Sequence, residues 1–195
     1  ITWRETLSYL TRMGLKAGHT LLVMGSGGNG LAYAAHAANL GAARVAMVGA
    51  AGREETARRA GVTDYVAHDA PDLAERLGAV SGAGFDFVLD AVGKRGSADT
   101  GMRFLKPGGV LGIYGLSDFG QAAIHPLNAR GTFTCYNGGY EEAETHEQVM
   151  VFIEAGRLDA SIWLDLAHPF PLERIHEAFE ALRARKLVKA LIQLS

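Results

Sequence analysis

Residues 20–30 read Thr-Leu-Leu-Val-Met-Gly-Ser-Gly-Gly-Asn-Gly, an apolar run of strand length that breaks into Gly25, Gly27 and Gly30 at the spacing GxGxxG. No other feature constrains the fold of this chain as much. The first glycine permits a tight turn out of a strand, the second lets backbone approach phosphate oxygens, and the third lets the next helix pack on the sheet. A helix N-terminus then faces the anion with free N–H groups and a partial positive charge. Alone the pattern is weak, because the chain has 25 glycines among 195 residues. Its context strengthens it. Leu21 to Met24 precede it, Leu31 to Leu40 form an alanine-rich helix after it, and a second apolar run, Arg44 to Val48, closes a βαβ unit.

The rest of the chain continues the alternation. Ile1 to Met13 read as a helix, Arg53 to Ala60 as a short charged helix and Tyr65 to Ala67 as a third strand. Ala70 to Val80 is helical, entered through Pro71 and closed by Ser81-Gly82-Ala83-Gly84. Phe85 to Asp90 is a fourth strand, Ser97 to Leu105 a helix ended by Lys106-Pro107-Gly108-Gly109, and Val110 to Tyr114 a fifth strand. Gly131 to Tyr136 gives a sixth strand and Glu141 to Ala155 a long helix stopped by Gly156. Six strands alternating with helices predict an α/β, doubly wound Rossmann fold with parallel strand order 3-2-1-4-5-6. The tail differs: a proline-broken connector, His168 to Leu172, leads to an amphipathic helix from Glu173 to Arg185 with Ile175, Ala178, Phe179 and Leu182 on one face, then a strand from Leu191 to Leu194.

Composition narrows the function classes. The length suits one domain with an appendage, and 48% hydrophobic residues supply a core. A formal charge of −2 with no Lys/Arg run argues against a nucleic-acid or anionic-membrane partner. No apolar stretch approaches the ~20 residues of a membrane span and no signal-peptide pattern opens the chain, so a cytoplasmic setting is expected. Cys135 is the one cysteine, which excludes an internal disulfide and a thiolate zinc site, and it reads as a small buried strand residue. The seven histidines show no HxxxH or HExxH spacing, and no metal site is expected within the chain. His36 reads as packed within the alanine-rich helix, and Glu141, Glu142, Glu144 and Glu147 as a solvated acidic helix start. The chain opens at Ile1, already in a helix, and reads as part of a longer polypeptide.

Several phrases in order resemble one family, the medium-chain dehydrogenase/reductases, a superfamily of zinc alcohol, sorbitol and threonine dehydrogenases and zinc-free quinone reductases. They are Leu15-Lys16-Ala17-Gly18, the loop Gly25-Ser26-Gly27-Gly28-Asn29-Gly30, Asp90-Ala91-Val92-Gly93, Leu105-Lys106-Pro107-Gly108-Gly109, and the tail from His168-Pro169-Phe170-Pro171-Leu172-Glu173 through Ala178-Phe179 to Lys186–Ile192. The resemblance implies that residues 1–165 are an NAD(P)-binding domain and 166–195 the C-terminal return of a catalytic domain whose leading portion, with any zinc ligands, lies outside the chain. It further implies that Gly25, Gly27, Gly28 and Gly30, with the backbone of Ser26 and Asn29, surround the pyrophosphate, which Lys189 reaches from the tail. Ala91, Val92 and Gly93 would line the adenine and ribose side, and Tyr114, Gly115, Leu116, Thr134 and Cys135 the nicotinamide side. Two copies would pair through the sixth strand.

Cofactor choice turns on the end of the second strand, where an NAD site places a carboxylate that accepts from both ribose hydroxyls and repels a 2′-phosphate. Here it reads Val48-Gly49-Ala50-Ala51-Gly52-Arg53. With no carboxylate, a Gly49 that leaves room and Arg53 as the nearest guanidinium, NADP(H) is favoured over NAD(H). The expected reaction is hydride transfer between the cofactor and an alcohol or carbonyl, with no catalytic residue in this chain, which alone would be inactive. The alternatives are a zinc-free quinone or enoyl reductase, a nucleotide-sensing module without catalysis and, more distantly, an S-adenosylmethionine methyltransferase.

Overall fold

The structure is a computed structural model that describes residues 1–118 and 123–194. Its first helix, α1 (Thr2–Met13), buries Leu7, Leu10 and Met13 with Thr6, Ser8 and Tyr9. It stops at Gly14, whose φ of 97° lets its N–H turn back onto the carbonyls of the last turn. The core strands follow as β1 (Thr20–Met24), β2 (Arg44–Gly49), β3 (Asp64–Ala67), β4 (Phe85–Asp90), β5 (Leu105–Ile113) and β6 (Thr134–Tyr136). They form one sheet in the order β3-β2-β1-β4-β5-β6, with every pairing parallel. This is the doubly wound α/β fold that the alternation predicts.

Side chains alternate across the strands, so each strand feeds two layers. Leu21 and Val23 of β1 join Val45, Met47, Phe87 and Leu89 under α1, α2 (Gly28–Asn39) and α6 (His146–Glu154). Leu22 and Met24 point the other way, to Ala46, Val48, Val88 and Leu111, beneath α4 (Leu73–Ser81) and α5 (Ser97–Met102). The short α3 (Glu54–Arg59) closes the edge beside β3. At the tail, β7 (Phe170–Pro171) and β8 (Ile192–Gln193) pair with each other, apart from the large sheet, and flank α7 (Ile175–Arg183).

Several boundaries move for physical reasons. α5 ends at Met102, and Leu105, expected as the end of that helix, instead pairs with Phe85 in the sheet. Between Phe85 and Phe87 the register jumps from Leu105 to Val110, because Lys106-Pro107-Gly108-Gly109 bulges out of β5. The long helix expected from Glu141 to Ala155 is split into a 3-10 turn, Glu142–Thr145, and α6. Its acidic start is largely solvated, with Glu141, Glu144 and Glu147 exposed, but it is also tethered: Glu142 meets Arg4 at 2.9 Å and Glu144 meets Arg12 at 2.6 Å, docking the turn on α1. On α7 only Ala178 is buried, while Phe179 is 52% exposed. Cys135 is exposed rather than buried, because β6 is the edge of the sheet. No helix among the described residues is long and apolar enough to cross a membrane.

Candidate functional site

Strand order reverses between β1 and β4, and a crevice outside the strand ends at such a switch point is where α/β sheets bind ligands. Three chain turns meet there, pressed together through missing side chains. A Cβ on Gly25, whose φ is +113°, would lie 2.6 Å from Val92 Cγ2. One on Gly93 would lie 2.0 Å from the Gly115 carbonyl oxygen, and one on Gly115 would lie 2.1 Å from the Val92 carbonyl carbon. A Cβ on Gly30 would fall 2.0 Å from the Gly25 carbonyl oxygen, so this glycine lets α2 close onto the turn before it.

The start of α2 is bare. Its N-cap, Gly27, has extended geometry and no side chain to cap the helix, and the first intrahelical bond runs from the Leu31 N–H to the Gly27 carbonyl at 2.9 Å. The N–H groups of Gly28, Asn29 and Gly30 come before that bond and have no protein acceptor among the described residues. Gly27 is exposed, and nothing lies within 4 Å of the place where its Cβ would stand. A glycine-walled turn with unpaired donors, open to solvent at the positive end of a 12-residue helix, fits an anion such as a dinucleotide pyrophosphate. Lys189 comes to the same place from the tail. Its Cε is 3.1 Å from the Cβ position of Gly28, and its ammonium donates to Thr2 Oγ1 at 3.0 Å.

Asp90 holds the second turn. Fully buried at the end of β4, its Oδ1 accepts from the N–H groups of Val92 (2.9 Å) and Gly93 (3.1 Å) and from Ser97 Oγ (2.8 Å). Its carbonyl accepts from the N–H groups of Tyr114 and Gly115, tying the third turn to the second. Ala91, Val92, Gly93 and Gly115 are thus brought to one place with the glycine loop.

Other expected residues stand differently. The space at Gly49 is already filled, since a Cβ there would lie 2.3 Å from Ser26 Oγ and 2.4 Å from the Tyr65 hydroxyl. Ser26 Oγ accepts from the Ala50 N–H at 3.0 Å, and Tyr65 donates to the Ala50 carbonyl at 2.6 Å, so two hydroxyls close the end of β2. Burial raises the Tyr65 phenol, which stays a donor. Arg53 Nη2 donates to the carbonyls of Arg185 and Leu187 in the tail, while Nε and Nη1 have no partner among the described residues. Burial lowers the pKa of this guanidinium.

The Tyr114 side chain packs in an edge-to-face cluster with Tyr9 and Tyr33, and its hydroxyl donates to Glu5 at 3.3 Å. Burial, with the Glu5 carboxylate beside it, pushes the Tyr114 phenol upward. Leu116 is an exposed loop residue. Thr134 and Cys135 pair with Val110 and Leu111, short of the strand end at Ile113, and are not gathered with the turns. The residues that sequence reading passes over are Asp90 as an organiser, Tyr65, and Trp163, whose indole N–H donates to the Gly28 carbonyl at 2.8 Å. Asp90 alone left a trace, in the phrase Asp-Ala-Val-Gly followed by Ser97.

The sequence model of one family, described as zinc-binding dehydrogenase, matches residues 28–147, from the first turn of α2 to the start of α6. The chain belongs to the zinc-binding dehydrogenase family. Among its relatives is an alcohol dehydrogenase class-3 from Myxine glutinosa, 27% identical over a 188-position alignment that covers 92% of this chain and 50% of that protein. A D-xylulose reductase A from Aspergillus niger is 30% identical over 191 residues, 92% of this chain and 51% of that protein. The chain thus spans about half the length of these relatives. A benzyl alcohol dehydrogenase from Acinetobacter calcoaceticus shares the fold, with a TM-score of 0.85 at 16% identity over 100% of this chain and 54% of that one. The family description names zinc, but the described residues contain no group of three or more His, Cys, Asp or Glu that could hold a metal ion. These residues do not fit a zinc site.

Proposed function

We propose that this chain is the part of an alcohol- or polyol-type dehydrogenase that holds a nicotinamide dinucleotide. The bare, glycine-walled N-terminus of α2 at the switch point carries the reading. When bound, the cofactor supplies or takes up the hydride exchanged with the carbon of an alcohol or carbonyl. The chain's own residues bind and orient it. The N–H groups of Gly28, Asn29 and Gly30 and the Lys189 ammonium take the pyrophosphate, and the turn 91–93, held by Asp90, walls the crevice on the side of β4. The family and its alcohol and xylulose relatives support the reaction class. Residues 166–195, with their separate β7–β8 pair, are read as a segment returning toward a catalytic domain, and the chain alone is expected to turn over no alcohol.

NADP(H) is the proposed cofactor. No carboxylate stands at residues 49–52, and two nitrogens of Arg53 have no partner among the described residues. Arg53 also lines a groove between α3 and the tail with Arg59 and Lys186, whose charge outweighs that of Asp165 on the same wall, and this suits a phosphate. Ser26 and Tyr65, rather than empty space at Gly49, would border the ribose. Fluorescence titration with NADPH and NADH tests this. Tighter NADPH binding that Arg53→Ala reduces to the NADH level supports it; tighter NADH binding, unchanged by Arg53→Ala, overturns it.

A further inference from the structure

The turn that the proposed function relies on is built from residues that resist being helical. Gly27 offers no capping side chain, and Gly28 and Gly30 lie in the first turn of α2. Each glycine favours the unfolded chain over the helix, by about 1 kcal/mol relative to alanine. The close approach that a phosphate needs therefore works against the order of the donors that would bind it. Something outside the turn has to hold it.

Trp163 is placed to do so. It follows the 3-10 turn Ala160–Ile162, is only 4% exposed, and donates its indole N–H to the Gly28 carbonyl at 2.8 Å. The residue is held from two sides. Its ring packs edge-to-face with Trp3 of α1, with centroids 5.3 Å apart at 73°, and its backbone carbonyl accepts from the Lys189 N–H at 3.0 Å. Lys189 in turn reaches back to Thr2 at the start of α1. One indole thus joins the anion-facing turn, the first helix and the segment that carries the nearby ammonium.

We infer that Trp163 is a positioning residue that clamps the first turn of α2, through the Gly28 carbonyl, in the form that binds a pyrophosphate. This rests on the dinucleotide reading above for its ligand, but the clamp itself is a property of the free protein. Without the indole N–H the turn frays, and its N–H groups must be reordered when the anion binds. The cost falls on ligands with phosphates and spares those without.

The test compares the wild-type chain with Trp163→Phe, which keeps an aromatic ring and removes the donor. Two readouts are taken. Hydrogen exchange is followed at the Leu31 amide, which closes the first turn, against the amides of Leu22 and Val23 in β1. Affinities are measured by calorimetry for NADPH and by ligand-observed NMR for adenosine, which has no phosphate. The expected result is faster exchange at Leu31 with β1 unchanged, and NADPH binding about three- to tenfold weaker, the range of one lost hydrogen bond, with adenosine binding unchanged. Equal exchange at Leu31, or an equal loss for NADPH and adenosine, overturns the inference. Should the phenylalanine variant not fold, the benzothiophene analogue of tryptophan at position 163 removes the N–H at nearly the same ring volume and is held to the same outcomes. If the wild-type chain binds no NADPH, the dinucleotide reading fails, while the exchange measurement still decides the clamp.

Discussion

Gly30 shows how little room a single position leaves. Its Cβ would meet the Gly25 carbonyl oxygen at 2.0 Å, and that oxygen belongs to backbone that is itself pinned against Val92. Gly30→Ala is expected to push α2 off the turn, lowering stability by about 2–3 kcal/mol in denaturant titration and abolishing dinucleotide binding. His36 makes a different residue-scale prediction. It is fully buried in α2 beside Phe152, and among the described residues neither ring nitrogen has a well-formed partner. Burial, offset only in part by the Trp3 backbone, lowers its pKa from 6.5 to about 4. The unfolded chain therefore takes up the proton first as pH falls, so stability is full above pH 6.5 and declines toward pH 4. The decline from this one group approaches about 3 kcal/mol at the acid end. Urea midpoints measured across that range should show a flatter pH dependence for His36→Leu than for the wild type.

At the scale of elements, α1 is held by more than its apolar stripe. The turn 142–145 docks on it: Thr145 Oγ1 donates to the Arg4 carbonyl at 2.8 Å, and the Glu141 N–H donates to Ser8 Oγ at 2.8 Å. Thr145 and Ser8 are buried, whereas the Arg12–Glu144 pair is open to solvent and screened. Thr145→Val is accordingly expected to cost about 1 kcal/mol in thermal or urea unfolding, and Glu144→Gln clearly less. This docking also marks a limit of the sequence. The acidic run after Tyr140 gives no hint of the two ion pairs it makes, because their partners, Arg4 and Arg12, lie more than 130 positions away. The six strands and their order were legible, since alternating apolar runs and glycine punctuation are local signals. So was the glycine turn at 25–30. The sequence suggests room at Gly49 because Ser26 and Tyr65, which fill it, come from the turn after β1 and from β3, and it suggests burial of Cys135 because an edge strand looks apolar in isolation. Trp163 left no local signal, as its partner is the carbonyl of a residue 135 positions earlier.

At the scale of the molecule, two apolar layers fix the sheet, and the sheet brings its turns together at one end. The other consequence of this topology is an open edge at β6, where Thr134 and Cys135 are exposed. An uncovered edge pairs readily with another strand. We propose that two copies pair there. Sedimentation should give a species of twice the 20.7 kDa chain, and Thr134→Lys, which places charge on the edge, should return it to monomer. A monomeric wild-type chain would contradict that pairing.

If the bare start of α2 receives the cofactor pyrophosphate, backbone amide NMR during a titration with NADPH will show it. The largest shifts should fall on the amides of Gly27, Gly28, Asn29 and Gly30, with a second group at Val92 and Gly93. Saturable shifts confined to other residues, or none at all, would contradict it.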